Sequence, residues 1–183
     1  MNSPYINRKK DIWISSDFHF NHANILNFTD SDTGNHVRPE FDDVVHMNEY
    51  MIEQHNKCVK KGDIFYTLGD VFMGDKEGFK SLWTKLNGSK RLIVGNHDDV
   101  KFLSSGSFFK KVMMWRMFPE FGLLMSHVPL HESALWRGKG TDKQMVNIHG
   151  HIHQNPSPEG PYRNVCVEKT NYTPVNIEEL RVI

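Results

Sequence analysis

The stretch Met145-Val146-Asn147-Ile148-His149-Gly150-His151-Ile152-His153 joins a short apolar run to a cluster of histidines. An apolar run that stops at a turn signal is typical of a buried strand. Four further runs have the same form, each ending in glycine, serine, aspartate, asparagine or histidine: Ile12-Trp13-Ile14, Ile64-Phe65-Tyr66-Thr67-Leu68, Leu92-Ile93-Val94 and Leu123-Leu124-Met125. Because helical stretches separate several of these runs, the pattern predicts an α/β protein.

Two segments between the runs have the periodicity of helices. The longer extends from about Asp42 to Val59, and the shorter from about Glu77 to Leu86, just before the stop signal Gly88. Near the end of the chain, residues 165–167 are predicted to form a last strand. No repeat, low-complexity stretch or linker divides the sequence, so we expect a single domain over residues 1–183.

Composition and charge disfavour several classes of protein. With 22 basic and 22 acidic residues, the chain has no charge surplus that would mark a nucleic-acid-binding or membrane-attracted surface. Residues 1–11 lack the apolar core of a signal peptide, and no later run reaches the length of a membrane span. Cys58 and Cys166 are too few for a disulfide framework or a thiolate metal cluster. We expect a cytoplasmic protein without membrane or stable nucleic-acid binding, and the oligomeric state stays open.

Residue types that bind metal ions follow the five apolar runs. They are Asp17, His19, Asp70, Asn96, His127, His151 and His153. Taken alone, each of these residues has an ordinary structural explanation as a turn residue, a helix cap or a buried histidine. Strand ends in open α/β sheets, however, converge on one crevice. Oxygen and nitrogen ligands without thiolate suit Mn, Fe, Zn, Ni or Mg, and one carboxylate can bridge two ions about 3.5–4 Å apart. The set predicts a dinuclear site for in-line displacement at phosphorus.

Five motifs occur in one order along most of the chain: Asp17-Phe18-His19, Gly69-Asp70, Gly95-Asn96-His97-Asp98, His127 and Gly150-His151-Ile152-His153. They resemble those of the calcineurin-like metallophosphoesterase superfamily, and the tail over residues 164–175 is similar to that of its small bacterial and phage members. The resemblance implies that Asp17, His19 and His153 hold one metal ion. Asn96, His127 and His151 would hold the other. Asp70 would bridge the two ions, and His97 would be the catalytic histidine.

The same resemblance implies two mixed β-sheets packed face to face with flanking helices, a four-layer α/β/β/α arrangement. The expected cofactors are two divalent metal ions, with Mn²⁺ expected to support activity in vitro and Fe, Zn, Ni or Mg as the other ions that the ligands suit. The expected enzyme is a phosphoesterase in which a metal-bridging hydroxide attacks a phosphomonoester or phosphodiester of a small molecule or nucleotide. His97, oriented by Asp98 or by a strand-end carbonyl, would be the general acid.

A departure from the family pattern narrows the expected class of substrate. Residues 71–74 read Val-Phe-Met-Gly where family protein phosphatases usually carry Asp-Arg-Gly, so a phosphoprotein substrate is disfavoured. Two alternatives to a small-molecule enzyme stay open. One is a nuclease acting on single-stranded nucleic acid ends, and the other is a catalytically inactive scaffold with the same fold.

Substrate contacts are expected from four residues: Asn96, His97, His22 and Arg38. His22 would lie in the first turn of a helix over residues 21–28, whose N-terminus would face the phosphate. Arg38, in the polar loop 30–40, would bind the phosphate through a bidentate contact. The alternative, that His22 and Arg38 are simply solvent-exposed, stays open. A set of aromatic residues is expected in core and strand-edge packing and not in a base-stacking platform: Phe102, Phe108, Phe109, Trp115, Phe118 and Phe121.

Overall fold

The structure is a computed structural model that describes residues 10–136 and 144–182, so most of the N-terminal stretch considered for a signal peptide lies outside it. Its strands are β1 (Ile12–Ser15), β2 (Ile64–Thr67), β3 (Ser89–Ile93), β4 (Lys111–Met113), β5 (Trp115–Phe118), β6 (Leu123–Ser126), β7 (Val146–His149), β8 (Tyr162–Asn164) and β9 (Val175–Asn176). Its α-helices are α1 (Val44–Cys58), α2 (Lys76–Trp83), α3 (Val100–Ser105) and α4 (Ile177–Leu180). Short 3₁₀ helices cover Ala23–Asn27, Glu132–Leu135 and Val167–Lys169.

The strands form two mixed sheets. The first has five strands in the order β4-β3-β2-β1-β9, in which β1 to β4 are parallel and β9 is antiparallel to β1. The second has four strands in the order β5-β6-β7-β8, in which β6, β7 and β8 are parallel and β5 is antiparallel. The expectation of two mixed sheets with flanking helices is confirmed.

The two sheets pack face to face because successive side chains of a strand point to opposite faces. Ile14 and Ile93 of the first sheet share a buried cluster with Met125 and Ile148 of the second. The other face of the first sheet packs against α1 and α2 through a separate cluster that includes Met47, Met51, Phe65, Phe79, Trp83 and Leu92. The sheets are therefore held together by apolar burial.

The longest helix forms where its periodicity predicts it. Asp43 caps α1 by accepting a hydrogen bond from the backbone N–H of His46, at 2.8 Å. The buried face of α1 carries Met47 and Met51. The shorter predicted helix is present as α2, although it ends at Trp83, earlier than the position before Gly88 that the sequence predicted.

The predicted strand at residues 165–167 is wrong, since the strand in this region is β8, which ends at Asn164. The Asn164 side chain accepts a hydrogen bond from the backbone N–H of Cys166, at 2.9 Å, and this local contact turns the chain. A 3₁₀ helix then starts at Val167. The apolar run is buried, and its backbone makes only single contacts with the two sheets, from Val165 N–H to the His149 carbonyl at 2.9 Å and from Val167 N–H to the Ser16 carbonyl at 3.1 Å.

The helix expected over residues 21–28 is also corrected, because only the 3₁₀ helix Ala23–Asn27 is found there. Asn21 has a φ of 65°, a left-handed conformation that an α-helix cannot include. Its side chain and backbone are both tied to Asn48 of α1, at 2.8 and 3.2 Å. A short 3₁₀ turn lacks the aligned peptide dipoles of a longer α-helix, so the anion-binding helix N-terminus expected beside the phosphate is not supported.

Within residues 10–136 and 144–182, no helix has the length and apolar character that crossing a bilayer requires.

Candidate metal centre

The loops that follow β1, β2, β3, β6 and β7 meet at one edge of the molecule. The backbone N–H of Asp17 donates to the carbonyl of Gly69, at 3.1 Å, which joins the first two loops. The backbone N–H of His151 donates to Oδ2 of Asp17, at 2.9 Å, which joins the two sheets. These contacts bring the loops after β1, β2 and β7 together at one crevice.

Several candidate ligands have a backbone conformation that residues other than glycine rarely adopt. Their φ angles are 61° at Asp17, 49° at His19, 51° at Asp70, 71° at His151 and 50° at His153. Such strain costs on the order of 1–3 kcal/mol per residue and persists where surrounding structure fixes it, commonly at functional sites. Five of the eight non-glycine residues with a positive φ in the described part of the chain are candidate ligands, so the backbone strain is concentrated in these loops.

The first ligand group consists of Asp17, His19 and His153, whose donor atoms all lie within 4.8 Å of one another. Nε2 of His19 lies 3.9 Å from Oδ1 of Asp17, and Nε2 of His153 lies 4.0 Å from the same oxygen. Oδ2 of Asp17 is already held by the His151 backbone N–H and by the Cys166 thiol. Oδ1 is thereby left facing the two imidazoles.

The hydrogen bonding of the buried polar atoms gives an independent test of whether this group could hold a cation. Oδ1 of Asp17 and both ring nitrogens of His19 are buried without a hydrogen-bond partner in the part of the chain that the structure describes. Buried polar atoms are rarely left without partners, and a bound ion is one of the standard explanations. Burial, helped by the Arg38 charge, lowers the pKa of His19 to about 2, so its imidazole is neutral, the form that binds metal ions.

The second ligand group consists of Asp70, His127 and His151, again with donor atoms within 4.8 Å of one another. Asn96 joins it, because its Oδ1 lies 2.8 Å from Nε2 of His127 and 3.0 Å from Nδ1 of His151. Nδ1 of His127 faces the carbonyl of Leu68 at 2.7 Å and must donate to it. That contact fixes the tautomer and leaves Nε2 as an electron-pair donor.

Asp70 lies between the two groups. Its Oδ2 is 3.7 Å from Nε2 of His19 in the first group and 3.5 Å from Nε2 of His127 in the second. Its Oδ1 accepts the backbone N–H of His97, at 2.9 Å, which orients the carboxylate. One carboxylate oxygen therefore faces both groups at once, as a bridging ligand would.

Glu168 supports the first group and was missed by the sequence analysis. Its Oε1 accepts Nδ1–H of His153, at 2.8 Å, which leaves Nε2 of His153 as the ligand atom. Burial raises the pKa of Glu168, but the Arg38 charge and His153 lower it by more, to about 2 overall. A signal was available, since Glu168 directly follows the apolar run that ends at Val167, just as Asp17 follows the first strand.

The position of Arg38 corrects the expectation of a phosphate fork on an open loop. The side chain is only 1% exposed. Its guanidinium donates to the backbone carbonyls of Asp17 and Phe18, at 2.7 and 2.9 Å, and pairs with Glu168 at 2.8 Å. Arg38 thus holds the first loop and the carboxylate behind His153, because its donors are used inside the protein and cannot also reach a substrate.

His97 lies over the centre with its side chain exposed, and its ring centroid is 5.8 Å from that of His19. The expectation that Asp98 orients the His97 ring is not supported. The Asp98 carboxylate instead accepts the backbone N–H groups of Gly95, Asp70 and Val71, at 2.8 to 3.2 Å. Asp98 therefore ties the second and third loops together and leaves His97 accessible.

His22 lies beside the first group without belonging to it. Its ring centroid is 5.5 Å from that of His19, and its Nδ1 is buried with no hydrogen-bond partner among the described residues. Burial and the Arg38 charge lower its pKa, so the ring is neutral near pH 7. This placement agrees with a contact to something that occupies the crevice.

Two glycines allow the loops to approach each other. A Cβ built on Gly95 would collide with the Asp70 carboxylate, and one on Gly150 would collide with the side chains of Ser16 and Asp17. Only hydrogen fits at either place, because the ligand carboxylates pack directly against the backbone. The glycines that precede the ligand residues in the sequence are thus part of the geometry of the site.

Comparison with known proteins places the chain among relatives of similar length. It is 33% identical over 178 residues to the uncharacterized protein MJ1445 of Methanocaldococcus jannaschii, an alignment that covers 92% of this chain and 88% of that protein. The chain belongs to the family of that archaeal protein. It is also 27% identical over 169 residues to the Gene 66 protein of Mycobacterium phage L5, covering 77% of this chain and 76% of that one.

The fold of this family is also found in a solved structure. The crystal structure of the protein of unknown function AQ665 from Aquifex aeolicus superposes with a TM-score of 0.68 at 26% identity, covering 94% of this chain and 98% of that one. No family model matches the sequence. The relatives therefore support the fold, and the function has to be argued from the residues of the crevice.

Proposed function

We propose that this family member is a phosphoesterase that depends on two divalent metal ions and hydrolyses a phosphomonoester or phosphodiester of a small molecule or nucleotide. The observation that supports it best is Oδ2 of Asp70, which faces His19 of one ligand group and His127 of the other. When bound, two divalent cations supply charge that neutralises phosphate oxygens and makes water acidic enough to attack near neutral pH. Mn²⁺ is the ion proposed for activity in vitro.

The side chains of the crevice have separate tasks under this proposal. Asp17, His19 and His153 would hold one ion, Asn96, His127 and His151 would hold the other, and Asp70 would be shared by both. The Asp70 carboxylate is held in place by the His97 backbone N–H. These contacts set the positions of the ligands before substrate arrives, which lowers the reorganisation needed during the reaction.

The side chain of His97 is proposed as the general acid that gives a proton to the leaving oxygen. It is exposed at the mouth of the centre and is not a member of either ligand group, so it is available to a bound phosphoester. Proton transfer from a positioned side chain contributes typically 10²–10⁴-fold to the rate. Asn96 and His97 would also contact the phosphate oxygens.

The proposal is tested by stripping the chain with a chelator and restoring Mn, Fe, Zn, Ni or Mg ions one at a time. The substrates are aryl phosphate mono- and diesters, a nucleotide panel and a single-stranded oligonucleotide. We expect about two ions per chain and activity that depends on them, on small substrates. Cleavage of oligonucleotide ends alone would favour the nuclease, and two bound ions without turnover on any substrate would favour the inactive scaffold.

A further inference from the structure

A groove of about 300 Å³ opens beside the second ligand group. Apolar side chains line most of it: Val94, Met114, Trp115, Val128 and Leu130. Gly95, Asn96, Ser126 and His127 complete the lining, so two of its residues are also candidate metal ligands. The volume lies at the lower end of the range of small-molecule sites, which combine apolar walls with a few polar groups.

Trp115 has the largest side chain in this groove, and the packing of the fold does not account for a tryptophan at this position. It is 62% exposed, as is Met114, whereas Phe118 at the other end of β5 is buried. Trp115 lies on β5, the edge strand of the second sheet, in line with the expected strand-edge position, but most of its side chain is left uncovered. Exposed apolar patches of this kind mark binding surfaces more often than single scattered residues do.

The strand register fixes the position of Trp115 relative to the metal centre. Trp115 pairs with Ser126 across β5 and β6, and directly opposite residues of such a pair point to the same face. Ser126 immediately precedes the ligand His127. The indole therefore lies on β5, the strand paired with β6, and the ligand His127 directly follows the end of β6.

The side chains that line the groove indicate which kind of chemical group it can bind. No charged side chain among the described residues lines this groove, so it offers no partner for a second phosphate. An indole and a methionine thioether suit a flat ring, since base–aromatic stacking contributes about 1–3 kcal/mol per base and sulfur adapts to ring edges. The groove that lies on the other side of the centre, around Phe28, Thr29 and Gln154, is more polar.

We propose that the Trp115 groove binds a flat, uncharged aromatic substituent of the phosphoester, such as a nucleobase, while the phosphate lies at the metal centre. This inference rests on the proposed function and narrows its substrate class. Trp115 acts as the stacking face and determines specificity without touching the phosphate. Substrates with an aromatic substituent are then preferred over substrates that lack one.

The test compares two substrates that share the same scissile bond. Adenosine 5′-monophosphate and ribose 5-phosphate differ only in the base, and their methyl diesters provide the same comparison for a diesterase. For the metal-loaded protein we expect kcat/KM to be roughly ten- to hundredfold higher with the base. Trp115→Ala should reduce this ratio to nearly one, mainly by lowering kcat/KM for adenosine 5′-monophosphate, and Trp115→Phe should retain most of the ratio.

The control is Trp136→Ala, because Trp136 is also an exposed tryptophan but does not line the groove. It should keep the full ratio, and melting temperatures confirm that each variant is folded. A ratio near one in the unaltered protein, or a ratio that survives Trp115→Ala, would overturn the inference. So would a change of oligomeric state in Trp115→Ala with an unchanged ratio, which would assign the surface to self-association.

A binding measurement separates this inference from the proposed function. If none of the phosphoesters in the wider substrate panel is hydrolysed, the proposed function fails, but the affinities of these two compounds for the metal-loaded protein can still be measured by calorimetry. Tighter binding of adenosine 5′-monophosphate that is lost in Trp115→Ala supports the groove on its own. Equal affinity for the two compounds overturns it.

Discussion

The two ligand groups differ in how the protein surrounds them. Asp17 and His19 of the first group are buried, and behind them Glu168 and Arg38 form a closed network of hydrogen bonds. In the second group Asp70 and His127 are equally buried, but His151 and the associated Asn96 are exposed, and the apolar groove opens beside them. Under the proposed function, we therefore expect the first group to hold its ion more firmly and the second group to meet the substrate.

The largest effect is expected from Asp70→Asn, since one oxygen of Asp70 faces His19 of the first group and His127 of the second. An amide lacks the negative charge that two neighbouring cations require, so we expect at most one ion per chain and loss of activity. Metal content and turnover are the measurements. Asp42→Asn, at a fully exposed carboxylate near α1, is the matched control. Two retained ions with near-normal turnover would remove Asp70 from its bridging role.

His97→Ala should leave both ions bound, because His97 belongs to neither group, while turnover falls by roughly 10²–10⁴-fold. The loss should be largest for alkyl esters and smaller for aryl esters, whose leaving groups need no proton. Comparing the two kinds of ester in one variant provides an internal control. Equal losses for both would mean that His97 binds phosphate and does not supply the proton.

The sequence shows the second group more completely than the first. Each ligand residue follows an apolar run, so strand ends alone predict that the side chains converge. The residues that support the first group leave no such pattern in the sequence, because Arg38 and Glu168 are 130 positions apart. The polar composition of residues 30–40 predicted an open loop for Arg38. In the structure, Met47 and two loop carbonyls surround its guanidinium, so that it is buried.

Glu168→Gln is expected to weaken the first group and to leave the second intact. An amide at this position accepts from His153 less strongly and leaves the Arg38 charge without its partner. Removing such a support commonly costs ten- to a hundredfold in metal affinity. Titration of the stripped protein should therefore show one weakened site and one normal site. Glu179→Gln, at an exposed carboxylate of α4, should leave both affinities unchanged.

If Glu168→Gln instead weakened both sites equally, the two groups would not be independent, and the contrast between them would fail. A simple loss of folding is distinguished by the melting temperature measured with the metal removed. A uniform fall in that temperature with normal affinities would assign Glu168 to stability alone.

The smallest effect is expected from His22→Ala, which asks whether the first group also has a side that meets the substrate. His22 stands 5.5 Å from the His19 ring, and its buried Nδ1 has no partner in the described part of the chain. A neutral imidazole there can hydrogen-bond a phosphate oxygen without touching an ion, and one such bond is worth about 0.5–1.5 kcal/mol. We expect full metal content with KM raised roughly two- to tenfold, while His36→Ala in the neighbouring exposed loop changes neither. Loss of an ion would make His22 a ligand, and unchanged kinetics would leave the first group facing only the protein, so that all substrate contacts would come from the side of His97 and Asn96.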